Sequence, residues 1–315
     1  MLDSIYSFLG WTLQNGQIIT FERFLSLLKN LLTGKVPFNK IFATLLSLVQ
    51  LFNGAAFKTP TTPCGDELDL TGYELAIFDD FEGDELNTDL WFIRGDGPRR
   101  AGFNSESQIS IEDGNLVITG EYLDADTGTY GEGWYAGAIA LNEWYAQGYY
   151  EIRCKCNKGE GFWSAFWIQA ENPYEASSIG GINGAEIDIF EALNASKSTN
   201  KMRNAVTSTI YCNGYDEDDE NLDAFRIGTF YVDDIYDEYN TYGLKWTEDE
   251  YIFYINGIES ARTSLGNGVS IVPENLIVSL EIPAKLPENI TNDLSYKTEM
   301  IVDYVKVYFP VDTAE

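Results

Sequence analysis

Glu186, Asp188 and Glu191 place three carboxylates in one short segment, Glu186-Ile-Asp-Ile-Phe-Glu191, among residues that favour strands. Side chains on a regular strand alternate between faces, so Glu186 and Asp188 share a face and Glu191 points to the other. One extra residue between Asp188 and Glu191, a β-bulge, returns Glu191 to the face of Glu186. The segment then presents Glu, Asp, Glu in a row. Such a row suits glycoside hydrolysis, in which two carboxyl groups flank the scissile bond and retention of configuration needs them about 5–5.5 Å apart. Three neighbouring carboxylates repel one another, so at least one keeps its proton above the usual range and can protonate a leaving group. The spacing by itself also fits a plain solvated acidic strand.

The rest of the composition narrows the chemistry. The chain contains no histidine, which removes Ser-His-Asp and Cys-His catalysis, His-ligated zinc and His acid–base chemistry. A hydrolase of this composition works with carboxylates. The formal net charge is −30 with only 20 Lys and Arg. Such a surface repels nucleic acid and anionic membranes, and argues against a heavily sulfated polysaccharide; it also serves solubility. Aromatic residues make up 14 % of the chain, enough for a large core and for a cleft in which flat rings stack on sugars. The cysteines Cys64, Cys154, Cys156 and Cys212 form no CxxC pair, so zinc-ribbon and thioredoxin readings fail. Cys154 and Cys156 share a strand face in poor geometry for bonding each other and are expected as buried thiols.

The elements that must position the carboxylates begin at Tyr73. Short runs rich in Tyr, Phe, Ile, Val and Trp follow one another, separated by Gly, Asn and Asp, with no alternation of strand and helix patterns. They include Glu74–Phe81, Gly148–Cys156, Trp163–Gln169, Glu186–Glu191, Leu276–Glu281 and Met300–Tyr308. The pattern predicts an all-β, two-sheet sandwich. Residues 1–57 differ: Phe21, Phe24, Leu25, Leu28, Leu31 and Leu32 recur at helical spacing, and residues 1–65 carry a net +3, leaving −33 on the remainder. The apolar run Ile41–Phe52 resembles an export segment, and equally a helical hairpin that packs on the domain or a membrane surface. Residues 58–72, with Lys58-Thr-Pro-Thr-Thr-Pro-Cys-Gly65, read as a linker. The acidic run Asp216–Glu220 reads as a solvated loop.

Glu186-x-Asp188-x-x-Glu191 resembles the signature of glycoside hydrolase family 16, in the bulged form of the laminarinases. The resemblance covers residues 73–310 and includes Ile77-Phe-Asp-Asp-Phe-Glu-Gly83, Leu90-Trp91, Glu112-Asp-Gly-Asn-Leu-Val-Ile118, Tyr242-Gly-Leu-Lys-Trp246 and Ile301-Val-Asp-Tyr-Val-Lys-Val-Tyr308. Gly161-Phe-Trp-Ser-Ala-Phe-Trp167 resembles the family's Gly-x-Trp-Pro-Ala-Phe-Trp with Ser164 in place of Pro. The resemblance implies a concanavalin-like β-jelly roll with a cleft across its concave sheet. It implies a retaining endo-glycosidase with Glu186 as nucleophile, Glu191 as acid/base and Asp188 as their helper. Asn104, Trp163, Trp167 and Trp246 match substrate-side positions, with core packing an equal alternative for each Trp. The implied substrate is a neutral β-glucan, laminarin-type first, with mixed-linkage glucan or a galactan behind it. A non-catalytic glycan-binding jelly roll is the rival class.

Catalysis needs no cofactor in this family. Members bind a structural calcium through two backbone carbonyls and one Asp, and the matching positions are Asp80, Gly114 and Asp303; oxygen ligands suit that ion. The expected protein is an extracellular or cell-surface monomer with a polysaccharide as its partner. Three positions around the cleft depart from the family pattern: Ala136-Gly137-Ala138 stands where an Arg is common, and Tyr211 and Asn240 stand near positions where His is common.

Overall fold

The computed structural model describes residues 60–159, 161–170, 180–193, 204–212, 223–264, 268–285 and 292–311. The extension expected over residues 1–57 and the acidic run 216–220 lie outside the described residues. In chain order the strands are β1 (Tyr73–Asp79), β2 (Trp91–Ile93), β3 (Gly97–Arg99), β4 (Gly102–Asn104), β5 (Ile109–Glu112), β6 (Asn115–Leu123), β7 (Gly133–Ala136), β8 (Ala138–Leu141) and β9 (Gly148–Lys155). Then come β10 (Trp163–Gln169), β11 (Glu186–Glu191), β12 (Ala205–Cys212), β13 (Asp223–Tyr231), β14 (Asn240–Trp246), β15 (Tyr251–Ile255), β16 (Ile258–Thr263), β17 (Asn275–Glu281) and β18 (Lys297–Pro310).

They form two sheets, as the alternating patterns predict. The smaller sheet runs β13-β12-β11-β10-β17-β8-β2, and the larger runs β16-β15-β14-β9-β18-β6-β7-β4-β3, with β1 also on β18 and β5 on β6. Period-two alternation decides which side chains meet between them. Phe166 and Ile168 of β10, Leu276, Val278 and Leu280 of β17, and Ile139 and Leu141 of β8 enter the core from the smaller sheet. Tyr150, Ile152 and Cys154 of β9, Tyr242, Leu244 and Trp246 of β14, and Met300, Val302, Val305 and Val307 of β18 meet them from the larger. The parity of β18 changes between Val302 and Val305, where its register against β9 shifts. Each fully buried Val, Leu, Ile or Phe of this layer contributes about 1.5–3 kcal/mol.

The core layer leaves the other face of the smaller sheet free for chemistry, yet that face is not flat and wet. Ala140, Ala165, Trp167 and Ile277 form a second buried cluster there, joined by Trp163. Side chains that point away from the core and still lose their solvent define a recessed cleft.

The segment predicted as a linker is in fact strapped to the domain from Thr61 onward. Thr61 donates its N–H to the Thr229 carbonyl at 3.0 Å and accepts from Tyr231 N–H at 2.9 Å, which occupies the outer strand β13. Gly65 N–H donates to the Glu259 carbonyl at 2.9 Å and Leu68 N–H to the Gly257 carbonyl at 2.8 Å, which occupies the outer strand β16. Leu68 and Leu70 then pack on Tyr149, Ile252 and Tyr254. Both unpaired edges at one end of the sandwich are thereby covered, which blocks edge-to-edge association. A Pro- and Thr-rich sequence without strand periodicity gives no sign of such pairing; the edges that receive it come from residues far along the chain.

A variant lacking residues 1–59 keeps the whole strap and serves as the reference. A variant lacking residues 1–72 is expected to melt about 5–10 °C lower and to aggregate on heating, since it loses the strap's hydrogen bonds and half-buried leucines. Thermal unfolding followed by circular dichroism reads the difference; equal melting temperatures would show that the strap carries no stability.

Candidate active site

The carboxylate row depends on β11. The strand registers Glu186 against Tyr211, Ile187 against Ile210 and Asp188 against Thr209, and then Glu191 against Thr207, with a shift between Asp188 and Glu191. The same irregularity appears on the other side, where Ala165 faces Glu191 and Trp167 faces Asp188. Ile189 and Phe190 are consecutive and both lie in the core, with Phe190 stacked on Tyr242 at 4.0 Å between ring centroids. Two neighbouring residues on one face make the expected bulge, and it turns Glu191 back toward the cleft beside Glu186 and Asp188.

Strand β10 orients the two outer glutamates. Trp163 donates its indole N–H to Glu191 Oε1 at 2.8 Å. Gln169, on the same face of the strand, donates Nε2–H to Glu186 Oε2 at 2.9 Å. Its Oε1 accepts from Arg94 at 2.7 Å, so the amide is held in one orientation. Asp188, 5 % exposed, lies between the two. Burial pushes its carboxyl well above the usual range, and the charges of Glu191, Glu186 and Glu281 add to the effect against the opposing pull of Arg100. Burial also raises Glu191, while the indole of Trp163 pulls it back down. Two of the three carboxyls therefore hold protons more tightly than free ones, with burial the larger cause and repulsion within the row adding to it at Asp188.

Several cleft residues carried no sequence signal strong enough to single them out. Glu281, buried at the end of β17, accepts from Arg99 at 2.6 Å and lies 3.6 Å from Arg100. Arg100 lies over the Trp163 ring at 5.0 Å and Arg94 over the Trp167 ring at 4.6 Å. Arg100 has φ 53°, a left-handed conformation uncommon for a side-chain-bearing residue and one that often marks functional turns. Tyr211 faces all three carboxylates; burial first, and then their charges, hold its phenol neutral at any ordinary pH. Period-two parity could have found Gln169 from Trp163 and Glu281 from Ile277, since each pair shares a strand face.

The predicted substrate-side residues divide. Trp163 and Trp167 line the cleft, and Trp167 donates its indole N–H to Ser279 Oγ at 3.1 Å. Asn104 is buried behind the arginine wall, with its amide 3.5 Å from the Arg94 carbonyl. Trp246 does not belong there. It is 0 % exposed in the core, packs on Tyr150 and Tyr251, and donates its N–H to the Ser270 carbonyl at 2.9 Å. On β14 it shares the inward parity of Tyr242 and Leu244, and this excludes sugar contact.

The positions matched to calcium lie on the larger sheet and its adjoining turns. Asp303 ion-pairs with Arg153. Arg153 lies over the Tyr239 ring at 4.6 Å and Lys155 Nζ over the same ring at 4.5 Å. Tyr239 donates to Asn115 Oδ1, next to Gly114, at 2.7 Å, and the Asp80 carboxylate faces its own turn at Glu82 N–H. Among the described residues no group of three or more acidic or Cys side chains gathers to hold a metal. Calcium on the expected set would compete with the Arg153 guanidinium for Asp303, the one side-chain ligand of that set.

Comparisons with known proteins place the chain in a family. The family described as "Beta-porphyranase A-D, GH16 domain" matches residues 75–310. The chain is 26 % identical over 231 residues to the endo-1,3-1,4-beta-glycanase EglC of Rhizobium meliloti, covering 71 % of this chain and 43 % of that protein. It is 24 % identical over 286 residues to the glucan endo-1,3-beta-glucosidase A1 of Niallia circulans, covering 79 % and 39 %. The chain thus spans less than half the length of these relatives. The crystal structure of SCLam, a non-specific endo-beta-1,3(4)-glucanase, shares the fold with a TM-score of 0.62 at 21 % identity, over 80 % of this chain and 97 % of that one. With a family match over most of its length and the bulged carboxylate strand at its cleft, this chain belongs to glycoside hydrolase family 16.

Proposed function

We propose that the protein is a retaining endo-glycosidase that hydrolyses a β-glucan, laminarin-type first, through a covalent glycosyl-enzyme. The observation that carries this reading is the bulge that sets Glu191 on the face of Glu186 with a buried, proton-holding Asp188 between them. In the first step a Glu186 oxygen attacks the anomeric carbon as the glycosidic bond breaks, and Glu191 gives its proton to the leaving oxygen. In the second step Glu191, now a base, takes a proton from water, water attacks the same carbon, and Glu186 leaves. Asp188 as a neutral acid donates toward Glu186 and limits the charge in the row. The Trp163 N–H steadies Glu191 in both roles. The likeness to glucan-cleaving enzymes supports the substrate class, and a polymeric substrate suits work outside the cell.

A second reading has its own support. The low count of Lys and Arg argues against an anionic polysaccharide only if the cations are spread evenly, and they are not. Arg94, Arg99 and Arg100 converge on one wall of the cleft, and Arg226 acts on Tyr211 from another. One face of each cleft tryptophan meets a guanidinium. Guanidiniums pair well with planar or tetrahedral anions. An anionic galactan, in keeping with the porphyranase description of the matching family, is the substrate this wall favours over a neutral glucan.

Glu186→Gln is expected to lower turnover by roughly 10³–10⁵-fold with little change in fold or oligosaccharide binding, because it removes a nucleophile and little volume. Glu191→Ala should lose about 10²–10⁴-fold on natural substrates but much less on those with good leaving groups, and azide should restore turnover as a β-glycosyl azide. Near-wild-type activity of the first variant, or no azide product from the second, would sink the two assignments. Proton NMR of early product should show the β-anomer; an initial α-anomer would mean inversion and a wider carboxyl pair. Reducing-sugar release from laminarin, lichenan, xyloglucan, agarose and a sulfated galactan separates the substrates. Laminarin should lead on the first reading. A preference for the sulfated polymer that Arg94→Ala cuts at least about tenfold would transfer the conclusion to the second.

A further inference from the structure

Behind the catalytic strand lies a carboxyl that the chemistry above does not use. Glu274 directly precedes β17 and is 1 % exposed. Its Oε1 accepts the backbone N–H of Ala185 at 3.0 Å, reaching past the end of β10 to the residue before Glu186. Ala185 in turn accepts from Ala170 N–H at 3.0 Å. The approach to Glu186 is docked on the same stretch: Ile271 N–H donates to the Ile182 carbonyl at 3.2 Å. Gly184 has φ +130°, and a Cβ there would lie 2.5 Å from Ala170 Cβ, so the chain passes too close for any larger residue. The platform under Glu274 is itself fixed. The Ser270 carbonyl accepts from Trp246 at 2.9 Å and Gln147 at 3.1 Å, and Ser270 N–H donates to Tyr251 Oη at 2.7 Å.

We propose that Glu274 is a positioning residue for the nucleophile: its carboxyl clamps the Ala185 N–H and so sets where the Glu186 side chain enters the cleft. The clamp works as a neutral acid. Glu274 Oε2 and Ser270 Oγ are both buried without a hydrogen-bond partner, and Ser270 lies close enough to act on Glu274. A proton on Oε2 gives the acid a donor for that hydroxyl and completes both groups. The groups facing the carboxyl are the phenols of Tyr150 on β9 and Tyr251 on β15, with Tyr145 beside the first and Cys212 beside the second; none is a cation. An ionised Glu274 would have only the Ala185 N–H and the Ser270 hydroxyl to offset its burial, with no cation beside it. Burial outweighs those two hydrogen bonds and pushes its titration up to about 8.

The test uses the full chain with Glu274→Gln and Glu274→Met. Gln keeps an acceptor for Ala185 and a donor for Ser270, so its kcat at pH 6 should stay within threefold of wild type. Met keeps the volume and loses the acceptor, so kcat should fall about 10–100-fold with KM within twofold, as expected for a misplaced nucleophile. A folded Met variant with wild-type kcat, or a Gln variant that fails to rescue or to fold, overturns the proposal. A thermal measurement covers the case in which Met does not fold. The native state keeps a proton that the unfolded chain loses near pH 4.5, so wild type loses stability from that pH up to about 8. The melting temperature of Glu274→Gln relative to wild type should thus climb between pH 5 and 8; a constant difference overturns the neutral clamp. The kinetic arm rests on Glu186 being the nucleophile and the thermal arm does not, so the failure of that assignment and the failure of the clamp are told apart.

Discussion

The bulge in β11 is the constraint on which the site depends. An uninterrupted strand would give Phe190 to the cleft and Glu191 to the core, burying a charge with no partner and wasting an aromatic side chain. The extra residue lets Ile189 and Phe190 both enter the core, where Phe190 stacks on Tyr242 of the opposite sheet. Apolar burial on one side of the strand and carboxylate display on the other are thus a single structural event. The distortion stops at β10, which keeps an unbroken register with β17, while on the other side β12 and β13 shift against each other between Ser208 and Thr209.

Once the row exists, its surroundings decide what each carboxyl does. The three side chains lie close together, yet they meet different partners: an amide at Glu186, an indole at Glu191, and burial with like charges at Asp188. A donor that favours the charged form lowers a carboxyl, and burial or a like charge raises it. The separation of roles among chemically similar groups comes from this asymmetry. It is supplied mostly by β10, whose outward face carries Trp163, Trp167 and Gln169 in period two. The arginines of the cleft wall then balance part of the negative charge and cover the tryptophan faces.

The opposite side of the molecule follows another logic. Tyr149, Ile252 and Tyr254 form an apolar patch on the outer face of the larger sheet, and the strap of residues 61–70 partly covers it while it occupies two outer strands. Nearby, Arg153 pairs with Asp303, and Lys155 lies over the Tyr239 ring.

The amino-acid order by itself determined the all-β architecture, because period-two alternation and turn residues are local properties that need no partner to be read. It also determined the carboxylate row, since the offset of Glu186, Asp188 and Glu191 brings them to one face only with a bulge. Tertiary structure decided what alternation leaves open: which of two faces is inside. Trp246 reads like a cleft residue until β14 is seen to turn it into the core with Tyr242 and Leu244. Residues 61–70 read like a tether because their partners, Thr229, Gly257 and Glu259, stand far along the chain. Arg94, Arg99, Arg100 and Glu281 are ordinary surface charges in sequence, and they become a cleft wall only when strands distant in the chain are brought side by side. Long-range pairing depends on the closure of the whole sandwich, and no window of neighbouring residues encodes it.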